Sequence, residues 1–338
     1  MINKRILIIY TGGTIGMVST DNGFVPIAGF RSTIEERIHF PPSAKIPEYD
    51  VLEITPAIDS ANLVPAHWTD MASAIIEHYE KYDGFIVLHG TDTMAYSASA
   101  LSFILRGVDK PVILTGSQIP LSEPRSDAQD NLSNALIIAA YHPANEVMIF
   151  FHGKLLRGNR ATKSKATGLD AFESPNYPWI GQVGPNIEIH EQLLLPETKQ
   201  EFVNPEFSNT SVAILPIYPG IPAKIAVAIC KTEELQGLIV KSYGVGNLPN
   251  QNTSLMNALK QVANNGCVIL NISQCLQAEV FQGHYASSAE LNDIGVISGS
   301  NMTTEAAFSK LHFLLASEKE QTQVKEKLYL NLVGELDN

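Results

Sequence analysis

The stretch IIYTGGTIGM, residues 8–17, ends a short apolar run with two glycines and a threonine. The apolar run over residues 5–10 has the length of a buried strand, and Gly12 and Gly13 mark a sharp turn after it. Three interpretations of this turn are open. It can cradle a phosphate, it can be a plain turn, or it can present the hydroxyl of Thr14 for attack on a substrate.

Apolar runs alternate with helical patterns through the first half of the chain. The patterns predict further strands at 51–55, 84–88, 111–115 and 146–151, and helices at 66–81, 93–105 and 126–141. Continuous apolar strands between helices are typical of a parallel sheet covered on both faces, with right-handed crossovers. In such sheets ligands bind outside the carboxyl ends of the strands.

The sequence changes character at about 175–210, where prolines and acidic residues accumulate around one short strand pair. Strands follow at 211–217, 237–241 and 267–272, with helices at 222–231, 254–264 and 303–317. The 338 residues exceed the ~250–300 at which single cores stop growing. We therefore predict an α/β protein of two domains, each a mostly parallel sheet flanked by helices. The larger N-terminal domain spans 1–185, a linker spans 186–210, and the smaller C-terminal domain spans 211–338.

The charge and the apolar segments exclude several classes of protein. A net charge of -12 disfavours a general surface for nucleic acid or anionic membranes. No segment approaches the ~20 apolar residues of a membrane span, and the run over 6–9 is too short for a signal peptide. Three cysteines without a framework spacing do not indicate a disulfide scaffold. We expect a cytoplasmic protein that binds neither nucleic acid nor membranes.

Motifs for phosphate and metal sites do not fit the sequence. The glycines after the first strand are adjacent, unlike those of G-x-G-x-x-G, and the chain contains no Gly-Lys-Ser/Thr. The nine histidines form no HExxH or HxH pair, and a lone His89 is typical of packing or hydrogen bonding. Asp59, Asp92 and Asp127 lie on separate loops without histidine support. We expect no metal and no cofactor.

Polar residues follow five of the predicted strands, and nucleophilic hydrolysis fits them better. A threonine after two glycines lets a substrate approach closely, but its hydroxyl needs a base. Because the strand ends meet at one edge, the loops that carry these residues can converge on one crevice. The residues are Thr14, Asp59 with Ser60, Thr91 with Asp92, Ser117 with Gln118, and Lys163.

Lys163 with Thr91 and Asp92 offers such a base, since a lysine desolvated in a crevice loses its proton more easily. Two simpler interpretations stay open. Thr91 and Thr93 can be caps of the helix over 93–105, and Lys163 can be a solvated surface lysine.

TGGTIGM at 11–17, HGTDTM at 89–94, TGSQIP at 115–120 and YGVGNLP at 243–249 resemble the bacterial-type L-asparaginases, and most of all the cytoplasmic type I enzymes. The resemblance implies hydrolysis of L-asparagine to L-aspartate and ammonia without a metal or cofactor. It implies a usual assembly as a tetramer, a dimer of tight dimers, in which the C-terminal domain of the neighbour closes the site.

The resemblance also assigns roles to individual residues. Thr14 matches the nucleophile that forms an acyl-enzyme, and Thr91, Asp92 and Lys163 match the second catalytic triad. The other matched residues bind the substrate. The backbone around Gly13 supplies hydrogen-bond donors, and Asp59 and Ser60 match the side chains that hold the α-amino and α-carboxylate groups. These substrate-binding residues are Gly13, Asp59, Ser60 and Ser117.

Two features depart from the family pattern. The loop after the nucleophile usually carries a tyrosine, whereas this chain has Phe24, which lacks a hydroxyl. Either the ring mainly closes a hydrophobic lid over the site, which we favour, or the enzyme is slower or is activated by another group. Some type I enzymes also bind asparagine at an allosteric site between subunits. In this chain Lys241 and Ser273 stand where a known pattern has arginine and threonine. Because lysine keeps the charge but cannot bind a carboxylate with two parallel hydrogen bonds, the expectation of an allosteric site is weaker here. Four residues correspond to that site. They are Lys241, Asn247, Ser273 and Cys275, the last expected to be a buried thiol.

Two other functions compete with amide hydrolysis. A two-domain protein that binds a small molecule, such as an amino acid, also places polar loops in a cleft. The absence of an export signal and the two threonine motifs count against it. An amidotransferase subunit that releases ammonia for a charged tRNA normally has an N-terminal extension, and this chain starts at strand one.

Overall fold

The computed structural model describes residues 4–21, 23–26, 29–38, 40, 45–142, 144–209, 211–230, 232, 234–282 and 286–337. Their contacts divide the chain into two compact units, Met1–Asn204 and Pro205–Asn338. Each unit contains parallel strands flanked by helices, as predicted for an α/β protein of two domains. The finer boundaries, with a linker over 186–210, stay a proposal.

The larger unit is built around an eight-stranded sheet, and six more strands among its described residues form three two-stranded sheets. Its strands are β1 (Arg5–Gly12), β2 (Met17–Thr20), β3 (Gly23–Pro26), β4 (Glu48–Ile58), β5 (Gly84–Leu88), β6 (Leu105–Arg106), β7 (Val112–Thr115), β8 (Val147–Phe151), β9 (Lys154–Arg157), β10 (Thr162–Lys163), β11 (Phe172–Glu173), β12 (Gly181–Val183), β13 (Ile187–Ile189) and β14 (Glu201–Phe202). The two-stranded sheets pair β2 with β3, β6 with β14, and β10 with β11. The α-helices of this unit are α1 (Phe30–Arg37), α2 (Ala66–His78), α3 (Met94–Ile104) and α4 (Ala128–Tyr141).

The strand order of the large sheet is β13-β12-β9-β8-β7-β5-β1-β4. Five neighbouring strands, β4, β1, β5, β7 and β8, are parallel. At the β8 side of the sheet, β9, β12 and β13 extend it in antiparallel pairing. The chain passes from β1 to β4 on one side and then to β5 on the other side. The strand order therefore reverses at β1, and such a switch point leaves a crevice at the carboxyl ends of the strands.

The core of the larger unit explains why its strands are continuously apolar. Seven of the eight residues of β1 are buried. Ile6, Ile8 and Tyr10, which alternate along β1, pack in one cluster with Leu132 and Leu136 of α4. Since the intervening residues of β1 are buried as well, both faces of the sheet are covered.

The smaller unit has a four-stranded parallel sheet. Its strands are β15 (Val212–Pro216), β16 (Gly237–Ser242), β17 (Val268–Ser273) and β18 (Ile297–Ser298), paired in that order. Leu238 and Val240 of β16 pack in one cluster with Leu255 and Leu259 of the helix Thr253–Asn264. The helices are α5 (Ala223–Cys230), α6 (Thr253–Asn264), α7 (Ala286–Ile294), α8 (Thr304–Ser317) and α9 (Gln321–Tyr329).

Candidate active site

The loop after β1 brings the first threonine motif to the switch point. Gly13 has a φ of 81°, in the left-handed region, and the 3-10 helix Thr14–Gly16 follows it. Gly13 N–H donates to the carbonyl of Ile58 at 3.0 Å, which fixes the loop to the end of β4. Thr14 is partly exposed, so its hydroxyl is placed where a ligand can reach the loop.

Two glycines let three loops meet at this edge of the sheet. A Cβ on Gly13 would lie 2.3 Å from the backbone nitrogen of Gly90, and a Cβ on Gly90 would lie 2.4 Å from Ser60 Oγ. Neither position therefore accepts a larger residue. Since Thr14 and Thr91 each follow one of these glycines, the close approach joins the TGGT loop to the HGTDT loop.

Lys163 joins the second threonine motif by two hydrogen bonds. Its Nζ donates to Thr91 Oγ1 at 2.8 Å and to Asp92 Oδ1 at 2.7 Å. Antiparallel pairing of β10 with β11 fixes the backbone of Lys163. The lysine side chain is only 18% exposed, so Lys163 is not a solvated surface lysine.

The threonine hydroxyls do not cap α3. Thr93 lies at the N-cap position, but its Oγ1 donates to the carbonyl of Ser60 at 2.9 Å instead of capping the helix. Thr91 Oγ1 donates to Gln118 Oε1 at 3.2 Å. The helix-cap interpretation is therefore wrong for both residues, and both hydroxyls connect loops at the strand ends.

Asp59 and Ser60 lie at the end of β4, beside the same loops. Ser60 is buried and contacts Gly90, whereas Asp59 is exposed. Asp59 Oδ1 accepts a hydrogen bond from the backbone N–H of Ala61 at 3.1 Å. The structure thus places an exposed carboxylate and a buried hydroxyl at the strand edge that holds Gly13 and Thr91.

The TGSQIP loop after β7 is held by a carboxylate. Both oxygens of Asp127 accept from the backbone N–H of Gln118 at 3.1 Å, and Oδ1 also accepts from Ile119 at 3.0 Å. Asn131 donates to Asp127 Oδ2 and to the carbonyl of Gly116. From the sequence, Asp127 was weighed only as a possible metal ligand. Its position eight to nine residues after Gln118 and Ile119 was the signal that it could hold the loop.

Ser117 is fully buried within the same loop. Its Oγ has no hydrogen-bond partner among the described residues. The structure brings it to the end of β7, next in the sheet to β5.

His89 holds the HGTDT loop by a hydrogen bond to its backbone. It is buried, with Nδ1 2.7 Å from the carbonyl of Gly90 and Nε2 2.8 Å from Ser97 Oγ. The carbonyl requires a proton on Nδ1, so in the neutral ring Nε2 accepts from the serine hydroxyl. Burial lowers the pKa of His89 to about 4. His89 is therefore a hydrogen-bonding residue, as its lone position predicted.

The strands β2 and β3 pair with each other after the first motif. β2 pairs with β3 so that Ser19 lies opposite Phe24, and the Phe24 side chain is 49% exposed. The segment was expected to be a loop. Alternation of buried and exposed residues is weak in this short pair, which explains why its strand character was missed.

The four allosteric candidates lie together at the carboxyl ends of β16 and β17. Ser273 Oγ donates to the carbonyl of Gly244 at 2.6 Å and accepts from the N–H of Cys275 at 3.1 Å. Asn247 closes the adjoining turn, and Lys241 lies one residue before the end of β16. Cys275 is exposed, so the expectation of a buried thiol was wrong. The residue follows the strand in a bend instead of lying in the sheet.

Among the described residues, no three His, Cys, Asp or Glu side chains are placed to hold a metal ion together. None of the helices described there combines the length and apolar character that a membrane span requires.

Comparison with known proteins matches both units of the chain. The family model described as Asparaginase, N-terminal matches residues 5–195, and the Glutaminase/Asparaginase C-terminal domain matches 211–328. The chain is 42% identical over 339 residues to L-asparaginase 1 of Escherichia coli strain K12, covering 99% of each.

Solved structures agree with these matches. L-asparaginase I from Vibrio cholerae superposes with a TM-score of 0.89 at 42% identity. The thermostable L-asparaginase from Thermococcus kodakarensis superposes with a TM-score of 0.89 at 28% identity. Each comparison covers 99% of both chains. With both family domains matched in order and the threonine loops joined at one strand edge, the chain belongs to the L-asparaginase family of amidohydrolases.

Proposed function

We propose that this enzyme hydrolyses L-asparagine to L-aspartate and ammonia through an acyl-enzyme on Thr14. The observation that supports this most is the contact of Lys163 Nζ with Thr91 Oγ1 at 2.8 Å and with Asp92 Oδ1 at 2.7 Å. An amine between a hydroxyl and a carboxylate can move protons, and Gly90 and Gly13 bring this group beside the loop of Thr14.

The proposed reaction has two steps. In the first, Thr14 Oγ1 gives up its proton and forms a bond to the side-chain amide carbon of asparagine, and the carbon–nitrogen bond breaks. The nitrogen takes a proton and leaves as ammonia. In the second step, water attacks the ester carbon, the bond to Thr14 Oγ1 breaks, and aspartate leaves with the threonine hydroxyl restored. Thr91 and Lys163 carry the protons, and backbone N–H groups near Gly13 and Asp92 stabilise the oxyanion.

We propose that substrate recognition uses the residues at the ends of β4 and β7. The exposed carboxylate of Asp59 suits the α-ammonium group, and Ser60 lies next to Gly90, where it can donate to the α-carboxylate. The buried Ser117 hydroxyl has no hydrogen-bond partner among the described residues, so it can bond a substrate that enters. Phe24, half exposed on its hairpin, is proposed as the hydrophobic lid that excludes water.

Three wider proposals follow from membership of the family. We propose a cytoplasmic enzyme that assembles as a tetramer, a dimer of dimers, which light scattering would detect as four times the chain mass of 36.9 kDa. We also propose Lys241, Asn247, Ser273 and Cys275 as a second asparagine site. The Ser273 hydroxyl already bonds Gly244. A rate curve without sigmoidal character across asparagine concentrations would contradict that regulatory site.

The test of the proposed function is ammonia release from L-asparagine by the unaltered enzyme, Thr14→Ala and Thr14→Ser. The unaltered enzyme should release ammonia, Thr14→Ala should lose at least about a thousandfold in kcat, and Thr14→Ser should keep part of the activity because it keeps a hydroxyl. The absence of release from asparagine and glutamine would contradict hydrolysis and favour a small-molecule binding protein.

A further inference from the structure

Gln118 connects the second threonine motif to the segment that contains Ala166 and Gly168. Its Nε2 donates to the carbonyl of Ala166 at 3.1 Å and to the carbonyl of Gly168 at 3.0 Å. Its Oε1 accepts from Thr91 Oγ1 at 3.2 Å. One side-chain amide therefore holds three groups from two segments that lie far apart in the sequence.

The two carbonyls fix which way the amide points. A reversed amide would place its oxygen against two carbonyl oxygens, which have no proton to share. Nε2 must therefore face Ala166 and Gly168, and Oε1 must face Thr91. Because that oxygen carries no proton, the Thr91 hydroxyl must be the donor of the bond.

This bond sets the direction of the hydrogen bonds before the reaction begins. The single proton of the Thr91 hydroxyl lies in the bond to Gln118 Oε1. Thr91 Oγ1 is left to accept from Lys163 Nζ at 2.8 Å. The hydrogen bonds therefore run from Lys163 to Thr91 to Gln118, and the lysine keeps a second bond to Asp92.

The backbone of Gln118 is held as firmly as its side chain. Its N–H donates to both oxygens of Asp127 at 3.1 Å. Asp127 is itself bonded by Asn131, which is 2% exposed. The amide oxygen is thus presented to Thr91 from a fixed position.

We infer that Gln118 is a positioning residue for the reaction: its amide holds Thr91 Oγ1 at 2.8 Å from Lys163 Nζ, and the Thr91 proton passes to an unprotonated Lys163 when the hydroxyl turns from Gln118 to the lysine. The inference rests on the proposed function, since it assigns Gln118 a role in the same proton relay. Without Gln118 the Thr91 side chain can leave this position, and fewer molecules have the short distance between Thr91 Oγ1 and Lys163 Nζ that proton transfer requires.

Steady-state kinetics of Gln118→Met and Gln118→Glu test the inference. Methionine has a similar length but no polar atom, so we expect kcat to fall about 10- to 100-fold while KM for asparagine changes by less than about threefold. Glutamate keeps an acceptor for Thr91 but loses both donors to the backbone. We expect its kcat to stay within about tenfold of the unaltered enzyme and clearly above that of Gln118→Met.

Controls separate the possible failures. Gln182→Met, which removes an exposed bond to Glu188 on the β12–β13 hairpin, should keep full activity. Thermal unfolding checks that each variant folds. If Gln118→Met does not fold, Gln118→Asn replaces it, because the shorter amide cannot reach Thr91 and both carbonyls together, and the same loss is expected.

Two results would overturn the inference. Equal losses in Gln118→Met and Gln118→Glu would show that Gln118 only tethers the segment around Ala166 and Gly168. Unchanged kcat in Gln118→Met would show that Thr91 needs no orientation by this amide. The absence of ammonia release by the unaltered enzyme, or full activity of Thr14→Ala, would contradict the proposed function instead.

Discussion

Lys163 illustrates how one side chain can matter for chemistry and little for stability. Its partner Asp92 is 59% exposed, and ion pairs in that position contribute at most about 1 kcal/mol to folding. The pair therefore does not account for the fold of the loop. The ion pair instead holds Lys163 Nζ in the position where it also contacts Thr91 Oγ1.

Lys163→Met should lower kcat by about 10²–10⁴-fold, because the variant removes the amine that moves the protons. Its melting temperature should change by only a few degrees, since the lost ion pair is largely exposed. Asparagine turnover and thermal unfolding measure the two effects. Lys165→Met is the matched control, since Lys165 pairs with Asp170 on the surface two residues away. Equal loss of activity in both variants would contradict the role of Lys163.

His89 makes the stability of the larger unit depend on pH. An unfolded histidine takes up its proton near pH 6.5, whereas burial lowers the pKa of folded His89 to about 4. Between these pH values the unfolded chain binds more protons than the folded chain. The contribution of His89 to stability is therefore complete above pH 6.5 and is lost as the pH falls towards 4.

The free energy of unfolding should fall by about 3 kcal/mol from this one residue between pH 6.5 and pH 4. Urea unfolding at a series of pH values gives the slope, and NMR titration of the His89 ring gives its pKa. His89→Gln should reduce the slope across that window. A ring that titrates near pH 6.5 in the folded protein would contradict this account.

At the scale of elements, the sequence predicted the strands and helices that have strong periodicity. Every predicted strand and helix is present, with ends that coincide with the prediction or differ from it by at most three residues. The predicted helix over 66–81 is α2 followed by the 3-10 helix Tyr79–Lys81. Short elements such as β6, β10 and β14 were not predicted, because two residues carry no period. They form only where a distant partner strand is available.

The C-terminal segment after α9 is held to α8 by a buried ion pair. Lys310 and Glu335 are both fully buried, with Lys310 Nζ 2.7 Å from Glu335 Oε1. Lys310 also donates to the carbonyls of Leu328 and Leu330. Burial lowers the pKa of Lys310, so its positive charge depends on the carboxylate.

Glu335→Gln should destabilise the enzyme by about 3–5 kcal/mol, because it leaves a buried ammonium without its counter-charge. Chemical unfolding followed by circular dichroism measures the change. Glu318→Gln serves as a comparison, since its pair with Lys327 is partly exposed and should contribute under about 1 kcal/mol. Similar small losses in both variants would contradict the importance of the buried pair.

At the scale of the molecule, the sequence predicted the edge of the sheet where the site lies. Loops after parallel strands must share an edge, and Thr14, Asp59, Thr91 and Ser117 all lie on such loops. Spacing alone could not exclude that Thr91 and Thr93 cap a helix. The role of Gln118 was not predicted, because its partners lie 27 to 50 residues away and depend on the direction of a side-chain amide.

The most direct test of the whole account is to locate the covalent intermediate. The enzyme is mixed with L-asparagine, quenched in acid within milliseconds, digested, and analysed by peptide mass spectrometry. We predict an aspartyl ester on Thr14, absent from Thr14→Ala and accumulated in Lys163→Met if the relay also activates water. An ester on Thr91, with Thr14 unmodified, would contradict the assignment of the nucleophile.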